Sequence, residues 1–199
     1  MGRPAEAMTE YAGALEISRT QFALNPDPWP KSCCGGGIFM SLRVLNRLKE
    51  FANIGITQRA AEDNLAFFRK MALGSTDTDN QVALITSLNV AGDAARFAAD
   101  KAAALEHYQV SRSISVAMLT ALEAANRSGD WPKILDAKRA VAESLNRVAR
   151  VTGEASDIAA AKVATEAYER EFPEPPKRQV SPGESFFDPP IFTDREPPE

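Results

Sequence analysis

Ser87-Leu88-Asn89-Val90-Ala91-Gly92-Asp93-Ala94-Ala95-Arg96-Phe97-Ala98-Ala99-Asp100-Lys101-Ala102-Ala103-Ala104-Leu105-Glu106-His107-Tyr108 is the stretch whose reading decides the fold. Ala, Leu, Arg and Glu lose little side-chain freedom in a helix, so both halves read as helical. Asp100 is placed to cap the second half, where its carboxylate can accept from free backbone N–H groups. The stretch is therefore a helix, a tight turn and a second helix.

The same reading extends outward. No proline occurs between Lys31 and Trp131, a span of 101 residues rich in helix formers. No segment alternates β-branched and polar residues as a strand would. The expected fold class is all-α, with about seven helices. The first spans 5–24 and stops at Pro26, Pro28 and Pro30, which forbid continuation. The second covers 38–53 and the third 58–73, with Gly55 and Thr57 as caps between them and Gly74 closing the third. The fourth covers 80–99 and the fifth 101–128. Asp130 and Pro132 start a sixth over 131–152, because proline in a first turn sacrifices no hydrogen bond. Gly153 ends it, Ser156 or Asp157 caps the seventh, and Pro173 stops that helix at Phe172.

Apolar positions keep helical spacing. Leu105, Tyr108, Ser111, Ser115, Met118 and Leu122 form one stripe, and Ile134, Ala137, Val141, Leu145, Val148 and Thr152 another. These are packing faces for neighbouring helices.

A Leu-Asn pair recurs at Leu45-Asn46, Leu88-Asn89 and Leu145-Asn146, each followed by a turn and a helix with an aromatic: Phe68, Tyr108 and Tyr168. The Asn-to-aromatic separations are 22, 19 and 22, whereas aromatic-to-next-Asn separations of 35, 21 and 38 vary widely. The repeating unit is thus a hairpin of antiparallel helices joined to its neighbour by a variable return. A lone hairpin cannot bury its stripes, but several stacked side by side share a core. Glu10-Tyr11 through Ser18 echoes His107-Tyr108 through Ser115, with Tyr, Ile and Ser in register.

Ser87-Leu88-Asn89-Val90-Ala91-Gly92-Asp93 followed by Ala104-Leu105-Glu106-His107-Tyr108 resembles bacterial tetratricopeptide-like repeats, in which an S-L-N-x-x-G-D helix precedes an A-L-x-x-Y helix. Ser144-Leu145-Asn146-Arg147-Val148 with Ala164 to Tyr168 is a second copy, so the likeness is close over 78–172 and loose over 1–73. Two departures stand out. The stretch from Trp29 to Asn46 is longer than the pattern, and Arg150 replaces the acidic residue that Asp93 supplies. The resemblance implies a protein–protein interaction scaffold, a short array whose leading helices line a concave groove. There Asn46, Asn89 and Asn146 would bond a peptide backbone or terminal carboxylate, and Arg47, Arg147 and Arg150 would add positive charge. The other expectation is a self-assembling repeat module, or a piece of a larger signalling or regulatory protein, stacking on further repeats.

Charge and composition narrow the classes. Hydrophobic residues make up 44% and charged residues 25% of the 199, ordinary for a globular chain. Net charge is −4; residues 173–199 hold six acidic and three basic side chains, leaving 1–172 nearly neutral at −1. A neutral body lacks the basic face that nucleic acid requires, so no nucleic-acid partner is expected. No apolar run approaches a membrane span and no secretory leader is read, so the expected location is cytoplasmic. Cys33 and Cys34 are adjacent and read as reduced thiols, and the Asn126-Arg127-Ser128 sequon has no meaning without secretion.

Catalytic and metal chemistry finds no purchase. His107 is the only histidine, beside Tyr108 and read as a surface or flank residue, with neither metal-ligand spacing nor a G-x-S-x-G nucleophile turn. Gly35-Gly36-Gly37 lacks the lysine and preceding strand of a phosphate loop and reads as a connector. No cofactor, metal or enzymatic activity is expected.

The chain divides into a helical domain, 1–172, and a proline-rich tail, 173–199, in which eight of 27 residues are proline and no core is expected. Pro173-Glu174-Pro175-Pro176-Lys177-Arg178 has the PxxPx(K/R) spacing of a polyproline ligand. Phe186, Phe187, Ile191 and Phe192 stand out as apolar residues with no core of their own, candidates for docking on the body's groove or on a partner.

Overall fold

The structure is a computed structural model of the chain and describes residues 54–75, 77–125 and 131–171. Nine positions between Glu6 and Leu24 are also described, and all nine are helical. The described part is all-α. Numbered from Ile54, the helices are α1 (Ile54–Ala72), α2 (Thr78–Phe97), α3 (Lys101–Ala125), α4 (Trp131–Thr152) and α5 (Ala155–Glu171). The expected helices over 5–24 and 38–53 are not established as elements, and the tail over 173–199 lies outside the described residues.

Each helix packs on the next, and α2 also touches α4. Lys138, Asn146 and Thr152 of α4 bond Glu171, Thr165 and Asp157 of α5, so numbers rise along one helix as they fall along the other. That is antiparallel packing. Helices two apart run parallel: Asp93 of α2 meets Arg147 of α4, and Ile85 shares a cluster with Ala137.

Residues 83–95 of α2 are buried apart from the half-buried Thr86. A helix enclosed by three others needs apolar or small residues on every side, which Ala83, Leu88, Ala91, Ala94 and Ala95 supply. The core is a series of linked clusters along the stack. Leu65, Phe68, Leu84 and Leu88 join α1 to α2; Ala95, Ala104, Tyr108 and Val148 join α2, α3 and α4; Leu145, Ala149 and Ala161 join α4 to α5. The two expected stripes face this core, with Tyr108, Ser111, Ser115 and Met118 buried on α3 and Ala137, Leu145 and Val148 on α4.

The α2–α3 turn takes three residues. Asp100 N–H donates to Ala95 O at 2.9 Å and Ala99 N–H to Arg96 O at 3.0 Å, satisfying carbonyls that the helix end would leave bare. Ala99 must adopt a left-handed φ of 62° to do so. Asp100 then caps α3, its Oδ1 accepting from Ala103 N–H at 3.0 Å.

Three boundaries differ from expectation. α1 begins at Ile54 and runs through Gly55 and Thr57, which lie within the helix and not ahead of it; Thr57 is 6% exposed inside the packed face. A glycine costs a helix only about 1 kcal/mol, which packing outweighs. α2 begins at Thr78, two residues early. α5 begins at Ala155, so Asp157 lies in its first turn and accepts the Thr152 hydroxyl at 2.8 Å instead of capping.

Candidate functional site

Of the six expected peptide-binding residues, four are described, and they fall into two groups. Asn46 and Arg47 lie outside the described residues, as do the tail residues Phe186, Phe187, Ile191 and Phe192.

Asn89 and Arg147 belong to the interior. Asn89 is 3% exposed and its Oδ1 has no hydrogen-bond partner among the described residues. It sits one helical turn from both Ile85 and Asp93, on the α2 stripe that meets α4. Arg147 reaches back from α4 to Asp93, with Nε 3.4 Å from both carboxylate oxygens, and to Glu143 at 3.5 Å. Asp93 also accepts the Tyr108 hydroxyl at 2.6 Å. One carboxylate thereby ties α2, α3 and α4 together.

The electrostatics follow from depth. Burial pushes the Asp93 carboxyl above its ordinary range, against the opposing pull of Arg147, the Tyr108 hydroxyl and Arg96. Burial and the Asp93 charge push the Tyr108 phenol far up, so it stays a neutral donor. Burial favours the neutral form of Arg147, but Asp93 and Glu143 outweigh it and its pKa rises. Tyr108 is fully buried with its ring against Gly92, where a Cβ would come 2.4 Å from Cε1. Gly92 and Asp93 together seat Tyr108.

Asn146 and Arg150 lie at the open end. With Ala149 of α4 and Ile158, Ala161, Lys162, Thr165 and Glu166 of α5, they line an open cleft of about 450 Å³. Asn146 Nδ2 donates to Ala142 O and to Thr165 Oγ1, both at 2.9 Å, fixing the amide on the cleft wall. Leu145, Ala149 and Ala161 cluster together beneath it, and Ile158 on its edge is 53% exposed. Arg150 is exposed and forms no ion pair among the described residues, while Lys162 meets Glu166 at 3.8 Å. The α2 stripe of Ile85, Asn89 and Asp93 is buried and meets both α3 and α4; on the corresponding α4 stripe Asn146 and Ala149 pack on α5 alone, and Arg150 is exposed beside the cleft.

His107, expected at the surface or on a flank, lies on the buried face of α3. It is 9% exposed, its Nε2 lies 2.9 Å from Glu62 Oε1 of α1, and its Nδ1 has no partner among the described residues. The buried face of α3 is wide enough to take in position 107 beside Ala104, Tyr108 and Ser111. Among the described residues no group of three His, Cys, Asp or Glu could hold a metal ion, and no helix is long and apolar enough to cross a membrane.

Sequence reasoning missed the Asp93–Arg147 pair, whose members are 54 positions apart. The available signal was two opposite charges on helices otherwise patterned for burial. Comparison of the chain with known protein families, curated proteins and solved structures returns no match.

Proposed function

We propose that this chain is a non-catalytic protein–protein interaction scaffold of tetratricopeptide-like construction, which takes a peptide segment of a partner protein. The concave groove expected from the resemblance narrows, in this reading, to the α4–α5 cleft. The observation that carries it is the open cleft along Asn146, Ala149 and Arg150, where α4 meets α5 alone, whereas the α2 counterpart is packed by both α3 and α4. An apolar floor with an amide and a cation at its edge suits a peptide with an apolar anchor and an acidic group. The perturbed groups Asp93, Tyr108 and Arg147 are spent on one another, which favours a structural role over catalysis.

Peptides selected on the full chain from a random displayed library test this. Binders are expected to saturate a single site and to weaken at least about tenfold on Arg150→Glu and on Ile158→Ser, a loss of about 1.4 kcal/mol. Equal binding to all three proteins would overturn it.

The same open cleft favours a second reading, a module that stacks on further repeats. Sedimentation would then show mass rising with concentration, and Ile158→Ser would abolish the rise.

A further inference from the structure

We propose that the α4–α5 cleft is covered by the chain's own tail, with residues 184–192 docked against Ile158 and between Arg150 and Lys162. Three observations meet here. The cleft has an apolar floor, a half-exposed isoleucine and two exposed cations, Arg150 and Lys162, against one carboxylate, Glu166, which meets Lys162 at 3.8 Å, so its lining is net positive. The segment Glu184-Ser185-Phe186-Phe187-Asp188-Pro189-Pro190-Ile191-Phe192 offers the complement: four large apolar side chains, two carboxylates and no base. The tether suffices as well. The described chain leaves α5 at Glu171, and Ile158 lies thirteen residues back, about 20 Å along the helix. Residues 172–183 span up to about 40 Å when extended.

A second copy or a foreign peptide must pay for association from dilute solution, whereas a tether this short holds the segment at an effective concentration of order mM. Pro189 and Pro190 lack N–H donors, so the segment docks by side-chain anchors and charge, without adding a helix to the stack. The inference uses the cleft and not the partner reading. A partner at this site would have to displace the tail.

Hydrogen exchange of the full chain, measured at two protein concentrations, tests it. The comparison is with a variant carrying Phe186→Ser, Phe187→Ser, Ile191→Ser and Phe192→Ser, and separately with Arg150→Glu, an exposed position on α4 outside the amides that are read. Amides over 158–166 are expected to exchange about tenfold faster in the four-serine variant and severalfold faster in Arg150→Glu, with wild-type protection independent of concentration. Equal exchange in wild type and the four-serine variant would overturn the proposal. So would faster exchange in that variant alone, which puts the segment elsewhere, or protection that grows with concentration, which makes the occupant a second copy. No foreign peptide enters the measurement, so failure of the peptide selection leaves this result standing, and the reverse.

Discussion

Tyr108 donates its hydroxyl to Asp93 across 2.6 Å while its ring occupies the space that a side chain at position 92 would need. A fully buried aromatic ring is thereby held at both its edge and its tip. The acceptor is itself buried and shared with Arg147, so the contact sets the mutual positions of three helices. A buried donor–acceptor pair of this kind is costly to half-remove, because the remaining partner keeps its desolvation penalty.

Tyr108→Phe keeps the ring and deletes the donor. The expected loss is about 1.5–3 kcal/mol, the range for hydrogen bonds to charged groups, read from urea unfolding. An unchanged midpoint would show that Asp93 finds another donor.

Gly92→Ala adds a methyl 2.4 Å from Cε1 and 2.7 Å from Cδ1 of Tyr108. The ring cannot retreat, since Tyr108 has no exposed surface. A loss of about 1–3 kcal/mol is expected despite the better helix propensity of alanine. In the Tyr108→Leu background the penalty should shrink by more than half, a coupling that a double-mutant cycle measures.

The Asp93 carboxyl is raised in the folded state, so the native chain binds a proton more readily there than the unfolded chain does. Its contribution to stability is therefore fully present below the unfolded value of about 3.9 and is lost as pH rises through the folded value. Asp93→Asn lacks that titration. Its stability relative to wild type should improve from about pH 3.5 to 7, measured by chemical denaturation at each pH. A relative stability that falls with pH would mean that Arg147 outweighs burial.

Arg147→Met leaves the Asp93 carboxylate without its nearest cation. The arginine side chain is 19% exposed, so the full penalty of a broken buried pair is discounted to about 2–3 kcal/mol at neutral pH. The loss should diminish in acid, as Asp93 takes up its proton. Equal loss at both ends of the pH range would contradict the ion-pair account.

Ala99 holds a left-handed φ of 62° in the α2–α3 turn. That conformation costs an L-residue about 1–2 kcal/mol, and glycine escapes the cost but loses part of the gain through its freer unfolded chain. Ala99→Gly should stabilise by about 0.5–1 kcal/mol, raising the thermal midpoint by a few degrees. A lower midpoint would refute the strain at this position.

Much of the helical frame was legible in local chemistry. The bounds of α4, Trp131–Thr152, match the expected 131–152, because Pro132 and Gly153 act on their own backbone. Asp100 caps as its residue type requires. The stripes on α3 and α4 were readable because helical periodicity exposes a packing face before its partner is known. Gly55 and Thr57 were misread because a local cap signal lost to burial of the face that carries Thr57.

The sequence by itself therefore determined which segments become helices and which sides of them turn inward, since those depend on neighbours within a turn or two along the chain. Only the tertiary structure decided what each inward residue meets. Asn89 and Asn146 look alike in sequence, yet the first is buried, while the second borders an open cleft that no described helix fills. Arg147 and Arg150 are three residues apart, yet one is committed to Asp93 and the other faces solvent. The physical reason is that enclosure depends on which helix arrives from far along the chain, and short-range patterning carries no record of that.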